Sequence, residues 1–242
     1  MNKWLLLGGV LVLGLGVTVY LLGPRTLLTV WLILRVTPYE QPGTGGGSVL
    51  VLGDSTGYGT GATTGSASIA GRLGADYPAL TVKNLSVNGD TIADAVARAQ
   101  ALDEQYDLIL LQLGGNDILQ LRPVEAVQAD TERLLAVLAP HTERMVLMSA
   151  GNVGAARAFS GETADRYTEH SQRYHAAMEE LAAARPELTY VNLYEPPHSD
   201  PFVSQPDIYH ALDGLHPSDA GYAAWYEKLR PVLAAQLSVV AP

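Results

Sequence analysis

The feature that most constrains the fold of this chain is a regular alternation of short apolar runs with helix-type patterns from residue 48 onward. The apolar runs lack the polar alternation of a strand that has one solvated face. Such runs are typical of buried strands in a parallel sheet that helices cover on both faces. We therefore predict an α/β domain with a five-stranded parallel sheet, whose strands are Ser48–Gly53, Leu80–Leu85, Tyr106–Leu113, Arg144–Ala150 and Leu188–Leu193.

Helix patterns fill the intervals between these strands and follow the last one. Asp90 suits a helix cap, and Pro123 suits the first turn of a helix. The predicted helices are Ser66–Tyr77, Asp90–Leu102, Pro123–Leu138, Thr163–Ala184 and Pro217–Leu237. Ligands of such sheets bind at the carboxyl ends of the strands, so functional residues are expected in the segments that follow each strand.

The N-terminal segment differs in character from the rest of the chain. Residues 4–22 form a run of 19 residues without a charge, close to the roughly 20 that a helix needs to span a bilayer. No small-x-small cleavage site follows it, which favours an uncleaved membrane anchor over a secretory signal peptide or a buried core helix. The next apolar run, 26–36, carries Trp31 and Arg35, which suit a membrane interface.

These features predict three parts of the chain. Residues 1–40 form a transmembrane or interfacial anchor, residues 41–48 (QPGTGGGS) a flexible glycine-rich linker, and residues 49–242 the globular domain. The short N-terminal tail favours a membrane-anchored protein whose globular domain lies on the extracytoplasmic side. Export after cleavage of a signal peptide is the alternative.

Composition excludes several classes of functional site. The chain has no cysteine, which rules out a disulfide scaffold, a thiolate zinc site, an iron–sulfur cluster and a cysteine nucleophile. Its net charge of −10 argues against nucleic acid as a partner, because nucleic-acid binding needs a basic face.

Serine, glycine and asparagine follow the first three predicted strands in turn. Ser55 lies in the turn GDSTG at 53–57, where glycines let the backbone bend sharply between a strand and a helix. The turn lacks the lysine and the spacing of a nucleotide-binding P-loop. Gly89 in NLSVNGD precedes a helix and can present backbone N–H groups, and Asn116 in GGND can offer an amide donor. Each of these segments, alone, also fits an ordinary turn.

An Asp-x-x-His pair follows the last predicted strand. In DGLHP at 213–217, the spacing lets the carboxylate of Asp213 reach Nδ1–H of His216. That contact leaves Nε2 of the imidazole free to accept a proton. The same loop holds further potential metal ligands, so a metal cluster there is the less favoured alternative; they are His198, Asp200, Asp207 and His210.

Together and in this order, the four segments resemble the sequence blocks of the SGNH/GDSL hydrolase family. The resemblance covers about residues 48–240. One departure is Thr56, where leucine commonly stands, and this position bears on the subfamily rather than on the chemistry. The resemblance implies a three-layer α/β/α, flavodoxin-like domain that hydrolyses esters or thioesters without a metal or another cofactor.

The resemblance also implies a role for each residue. Ser55 is the expected nucleophile, His216 its general base, and Asp213 the group that orients the imidazole. The backbone N–H groups of Ser55 and Gly89, with the amide of Asn116, are expected to form the oxyanion hole. An acyl-enzyme would form on the serine and then be hydrolysed by water.

The expected substrates are small-molecule or lipid-derived carboxylic esters. The loops 151–162 and 194–212 are expected to shape an acyl pocket, unless their side chains only pack the loops. The candidate lining residues are Asn152, Phe159, Phe202 and Tyr209. The alternatives are a carbohydrate O-deacetylase or an acyl thioesterase on the same fold. A further alternative, from another functional class, is a non-catalytic, membrane-tethered binding domain whose loops are merely structural.

Overall fold

A five-stranded parallel sheet forms the centre of the molecule, as seen in a computed structural model that describes Gly23 and residues 26–238. The strand order is β2-β1-β3-β4-β5, the order of flavodoxin-like folds. The predicted five-stranded parallel sheet is confirmed, and the observed strands lie within the predicted segments. They are β1 (Ser48–Gly53), β2 (Thr81–Asn84), β3 (Leu108–Gln112), β4 (Met145–Met148) and β5 (Leu188–Val191).

Helices connect the strands, and several short helices begin where strands end. In chain order they are α1 (26–35), α2 (Ser55–Tyr58), α3 (Ile69–Asp76), α4 (Ile92–Ala99), α5 (Gly115–Leu119), α6 (Val124–Leu138), α7 (Gly161–Ala183), α8 (Pro201–Ser204), α9 (Pro206–Tyr209) and α10 (Asp219–Leu237). The long helices match the predicted ones to within a few residues. The short helices α2, α5, α8 and α9 were not predicted, because four or five residues carry too little periodic pattern.

The sheet buries both of its faces, which gives the molecule three layers. Along β1, Leu50 and Leu52 point into a core cluster with α4, α6 and α7, whereas Val49 and Val51 point into a cluster with α3 and α10. Successive side chains of a strand point to opposite faces, so a continuous apolar run supplies two cores at once. This burial on both sides is why the strands could be read as apolar runs.

The start of α4 differs from the sequence prediction by one position. Thr91, not Asp90, caps the helix, and its side chain forms a reciprocal capping box with Asp94. The hydroxyl of Thr91 accepts a hydrogen bond from the Asp94 backbone N–H, while the Asp94 carboxylate accepts one from the Thr91 N–H. This capping fixes the helix start next to Gly89, one of the predicted site residues.

The segment predicted as a flexible linker packs against the sheet edge. Gln41 pairs with Val82 of β2 through two backbone hydrogen bonds of 2.9 Å, and its side-chain amide donates to backbone carbonyls that include Leu80 O at 2.8 Å. Gly43 lies so close to β2 that a Cβ there would approach Thr81 N to 2.5 Å. Gly43 and Gly46 therefore serve close packing along the strand edge, a role that composition alone does not distinguish from flexibility.

Helix α1 also packs on the domain. Leu32 and Val36 are buried, at 4% and 3% exposure, while Trp31 and Leu34 face solvent. The guanidinium of Arg35 stacks over the Trp31 ring at 4.8 Å. The membrane helix predicted at residues 4–22 lies outside the described residues. Across Gly23 and residues 26–238, no helix combines the length and the apolar character needed to cross a bilayer.

A buried histidine on α7 holds the loop that follows β4. His175 Nε2 lies 3.0 Å from Ala150 O and 3.3 Å from Gly151 O, and Nδ1 lies 2.6 Å from the Tyr190 hydroxyl. The hydroxyl donates to Nδ1, so Nε2–H donates to the loop carbonyls and the ring is neutral. Burial lowers the pKa of His175 to about 4, although the two carbonyls favour the charged form.

This buried imidazole predicts a loss of stability in acid. An unfolded histidine has an ordinary pKa near 6.5, so the unfolded chain takes up a proton at higher pH than the folded one. Its contribution to stability is present above pH 6.5 and declines as the pH falls towards 4. We expect this contribution to fall by about 2 kcal/mol between pH 7 and pH 4.5.

Urea denaturation of the wild type and of His175→Gln at both pH values measures this contribution. Other buried groups also change stability with pH, and some act in the opposite sense; burial raises the pKa of Asp200, for example, to about 6. The difference between the two proteins removes these shared contributions and isolates that of His175. The wild type should lose more stability on acidification than the glutamine variant. If the difference in unfolding free energy between wild type and His175→Gln stays constant with pH, His175 is not the buried neutral imidazole described here.

Candidate active site

Ser55 is the first residue of α2, directly beyond the carboxyl end of β1. Asp54 caps this helix, and its Oδ1 accepts hydrogen bonds from the backbone N–H and the hydroxyl of Thr56, both at 2.8 Å. Burial raises the pKa of Asp54 to about 6, against the lowering effect of these two bonds. The cap therefore holds Ser55 in a fixed turn between the strand and the helix.

Ser55, His216 and Asp213 form a continuous hydrogen-bonded chain. Ser55 Oγ lies 2.9 Å from His216 Nε2, and His216 Nδ1 lies 2.7 Å from Asp213 Oδ2. Nδ1–H donates to the carboxylate, so Nε2 is left to accept the proton of the serine hydroxyl. Residues 161 positions apart in the sequence thus meet in the geometry of a nucleophile, a base and an orienting acid.

The carboxylate of Asp213 stays ionised although it is buried. Burial alone would raise its pKa, but the hydrogen bond and the charge of His216, with the backbone N–H groups of Leu215 and His216, outweigh this and lower the pKa to about 2. Those N–H groups donate to Oδ1 at 3.0 and 3.1 Å. The charge that orients the imidazole is therefore present at neutral and mildly acidic pH.

The loop that carries His216 is held close to the end of α2. Ala211 N–H donates to His216 O at 2.8 Å, and His210 pairs with Pro217 in a single bridge. Gly61 supports this approach, with a φ of +98° and with a Cβ position that would fall 2.3 Å from Pro217 O. A side chain at position 61 would push the histidine loop away from the serine.

Gly89 and Asn116 lie beside the serine. Asn116 is the second residue of α5, and its side-chain amide donates to Asp90 O at 2.9 Å. That bond uses one of the two amide hydrogens and orients the other. Asp117, the next residue, accepts a hydrogen bond from Ile92 N–H at 3.1 Å, which ties α5 to the start of α4. The two segments that hold Gly89 and Asn116 are therefore fixed to one another.

These groups surround one cavity of about 420 Å³. Its size falls within the range of roughly 300–1,000 Å³ found for small-molecule sites. Ser55, Gly89, Asn116 and His216 line one part of it, and mostly apolar side chains line the rest. The apolar residues include Ile33, Leu119, Val153, Leu193, Phe202 and Trp225. The arrangement can hold an apolar group next to the serine hydroxyl.

The four side chains predicted to line an acyl pocket differ in their position relative to this cavity. Asn152 and Phe202 line the cavity, and Asn152 Nδ2 is buried without a hydrogen-bond acceptor among the described residues. Phe159 and Tyr209 do not lie on the cavity wall, so that part of the prediction is corrected. Phe159 packs on Tyr167 at 4.6 Å, and Tyr209 packs on Phe202 at 5.4 Å, because aromatic rings of loops bury themselves against the nearest apolar neighbours.

Sequence reasoning missed the part of the site that α1 supplies. Thr29 and Ile33 line the cavity, and Thr29 Oγ1 donates to Asp213 Oδ2 at 3.0 Å. Thr29, Leu32, Ile33 and Val36 have the spacing of residues on one side of a helix. This pattern is visible in the sequence and could have indicated a helix that packs on the domain. The apolar content of the run favoured a membrane interface and hid this pattern.

The histidines and carboxylates weighed as a metal cluster do not converge. Within the part of the chain that the structure describes, no group of three or more histidine, aspartate or glutamate side chains could hold a metal ion. His210 Nδ1 instead lies 3.2 Å from Pro206 O, inside its own loop.

Solved structures share this fold at low sequence identity. A crystal structure of TesA is 23% identical, with a TM-score of 0.60, and the match covers 78% of this chain and 99% of TesA. A lipolytic G-D-S-L protein from Veillonella parvula is 16% identical, with a TM-score of 0.63 and coverage of 77% and 98%. A catalytic mutant of Axe2, an acetylxylan esterase from Geobacillus stearothermophilus, is 18% identical, with a TM-score of 0.54 and coverage of 81% and 96%.

A family model covers most of the globular part of the chain. The model of the GDSL-like lipase/acylhydrolase family matches residues 51–224, which is more than half of the sequence and includes every predicted triad and oxyanion-hole residue. No curated protein matches the sequence significantly. The resemblance inferred from the four sequence blocks is confirmed: the chain belongs to the GDSL-like lipase/acylhydrolase family and is a carboxylic ester hydrolase.

Proposed function

We propose that this enzyme cleaves carboxylic esters through an acyl-enzyme on Ser55, with His216 as general base and Asp213 as the orienting acid. The observation that carries the proposal is the chain of two hydrogen bonds, 2.9 and 2.7 Å long, at the wall of an apolar cavity. A serine hydroxyl is a poor nucleophile until a base removes its proton. The neutral Nε2 of His216 is within reach of that proton.

In the first step, Ser55 Oγ attacks the carbonyl carbon of the ester as its proton passes to His216 Nε2. The ionised Asp213 stabilises the imidazolium that forms and keeps its ring in place. The imidazolium then returns the proton to the leaving alcohol as the carbon–oxygen bond breaks. Water then attacks the acyl-serine as its proton passes to the same imidazole. When the bond from the acyl carbon to Ser55 Oγ breaks, the imidazolium returns this proton to Oγ, which releases the acid and restores the serine hydroxyl.

The tetrahedral intermediates place negative charge on the former carbonyl oxygen. The backbone N–H groups of Ser55 and Gly89, and the second amide hydrogen of Asn116, are the donors proposed for this oxyanion. All three residues line the cavity beside His216. Donors that are fixed before the reaction stabilise the transition state more than the ground state, because the oxygen gains charge only on attack.

The apolar cavity supports an acyl group longer than acetyl as the part of the substrate that binds there. A lipid-derived or medium-chain ester fits an apolar wall that includes Leu193, Phe202 and Trp225. Asn152 Nδ2, a buried donor without an acceptor among the described residues, could bind a polar atom of the substrate. The likeness to the acetylxylan esterase keeps carbohydrate deacetylation as the second candidate.

Hydrolysis of p-nitrophenyl esters tests the proposal. We expect butyryl and longer esters to be cleaved faster than acetyl esters. Their hydrolysis should also be faster than the release of acetate from acetylxylan and the release of thiol from an acyl thioester. Ser55→Ala should lower turnover by several orders of magnitude, because the variant has no nucleophile. The control is Ser66→Ala, at an exposed serine of the segment that follows α2, and it should keep wild-type turnover.

Three outcomes would contradict this proposal in different ways. Undiminished turnover in a folded Ser55→Ala protein would exclude the serine as nucleophile. A preference for acetylxylan over every acyl ester would retain the nucleophile and replace the substrate class. Loss of all hydrolysis in the wild type, with ligand binding intact, would favour the non-catalytic alternative.

The oxyanion role of Asn116 predicts a loss in kcat. Asn116→Ala should lower kcat by about 10²–10³-fold with a smaller change in KM, since the amide acts mainly on the transition state. Steady-state kinetics on the preferred p-nitrophenyl ester, with a thermal melt to show that the variant is folded, measures both constants. A change confined to KM would assign the amide to substrate binding instead.

A further inference from the structure

We propose that α1 is a working part of the active site, in which Thr29 is a positioning residue for Asp213 and Ile33 forms part of the wall against the acyl group. The inference rests on the proposed function of Ser55, His216 and Asp213. It adds a triad-supporting residue and a specificity-determining residue from a helix that precedes the family domain. The family model begins at residue 51, whereas α1 covers 26–35.

The inner face of α1 is anchored and the outer face is not. Leu32 in α1 and Val36, the residue after its end, are buried, which fixes the helix on the domain. Thr29 and Ile33, which are four residues apart and therefore neighbours on one helix face, line the cavity. On the outer face, Leu34 is 80% exposed. The same helix thus supplies cavity-lining positions and a solvent-facing position that can serve as a matched control.

Within the part of the chain that the structure describes, Asp213 accepts four hydrogen bonds, and three of them come from its own turn. Leu215 N–H and His216 N–H donate to Oδ1, and His216 Nδ1–H donates to Oδ2. The fourth donor is Thr29 Oγ1, which shares Oδ2 with the imidazole at 3.0 Å. Among the described residues, it is the one side-chain hydroxyl donating to this carboxylate. A fixed external donor restricts rotation of the carboxylate and so holds the oxygen that orients His216.

Ile33 contributes a branched apolar side chain to a cavity of about 420 Å³. Thr29 contacts Asp213 and Ile33 lies about one turn further along the same helix face, so the Ile33 side chain bounds the cavity close to the triad. Truncation of Ile33 would enlarge the cavity without removing a polar group. The expected consequence is a shift towards longer acyl chains rather than a loss of chemistry.

Valine and serine substitutions separate the two functions of Thr29. Thr29→Val keeps the shape of the side chain but removes the hydrogen-bond donor. It should lower kcat about tenfold, which is the scale of a hydrogen bond to a charged group, and should leave KM within about twofold of wild type. Thr29→Ser keeps the hydroxyl and should restore kcat to within about threefold. An equal loss of kcat in Thr29→Val and Thr29→Ser would overturn the positioning role. An unchanged kcat in Thr29→Val would overturn it as well.

A spectroscopic measurement guards against simple misfolding. The proton on His216 Nδ1 gives a downfield NMR resonance that reports its hydrogen bond to Asp213. Removal of the hydroxyl that shares Oδ2 should shift this resonance in Thr29→Val and leave it in place in Thr29→Ser. A purely structural role would leave the resonance of the folded protein unchanged and so would contradict the inference.

Chain-length selectivity tests Ile33. We expect Ile33→Ala to raise the ratio of kcat/KM for decanoyl over butyryl p-nitrophenyl esters by about fivefold or more. Leu34→Ala, on the exposed face of the same helix, should keep the wild-type ratio. An unchanged ratio in Ile33→Ala, or the same shift in Leu34→Ala, would exclude α1 as an acyl wall. If the Thr29 and Ile33 variants do not show the expected changes while hydrolysis still depends on Ser55, this inference is wrong and the proposed function stands. The two proposals can therefore be distinguished.

Discussion

The hydrogen-bonded chain from Ser55 through His216 to Asp213 is the interaction on which the chemistry proposed for this protein depends. The bond from Ser55 to His216 forms because the serine turn and the histidine loop meet at one edge of the sheet, whereas the bond from His216 to Asp213 is made within one turn. Parallel strands direct their carboxyl ends to the same edge, so residues distant in sequence converge there. The five-stranded sheet is thus the means by which a local Asp-x-x-His turn acquires a nucleophile from the other end of the domain.

The groups around this chain are fixed by buried polar contacts rather than by the apolar core. Asp54 caps the serine helix, Asp117 ties the asparagine helix to α4, and His175 holds the loop after β4. Each contact uses a donor or an acceptor that would be costly to leave unpaired in the interior. These contacts preorganise the donors proposed for the oxyanion, since they leave little freedom to the turns that carry them.

Much of the fold and of the site could be predicted from the sequence because both depend on local patterns. The strands are buried on both faces, so each is a plain apolar run, and the glycine-flanked turns follow them directly. Thr91, rather than the predicted Asp90, caps α4. Both residue types can cap a helix, and Thr91 is the cap because Asp94, three residues later, completes a capping box with it.

The remaining features depend on tertiary packing, which leaves little trace in the sequence. The composition of residues 41–48 does not show that Gln41 pairs with β2 or that Gly43 packs against it, since close packing and flexibility both favour glycine. The aromatic rings of Phe159 and Tyr209 were equally compatible with a pocket wall or a packed loop. The contribution of helix α1 to the cavity was not predicted, because an apolar run that contains Trp31 and Arg35 suits a membrane surface as well as a cavity wall.

Covalent labelling by a fluorophosphonate probe, located by peptide mass spectrometry, tests the central claim most directly. Phosphonylation requires a serine that is both exposed to the cavity and activated by a base. We expect one adduct per chain, on the peptide that contains Ser55, and much slower labelling in His216→Ala. An adduct on a different serine, or an active enzyme that takes up no probe, would contradict the proposed mechanism.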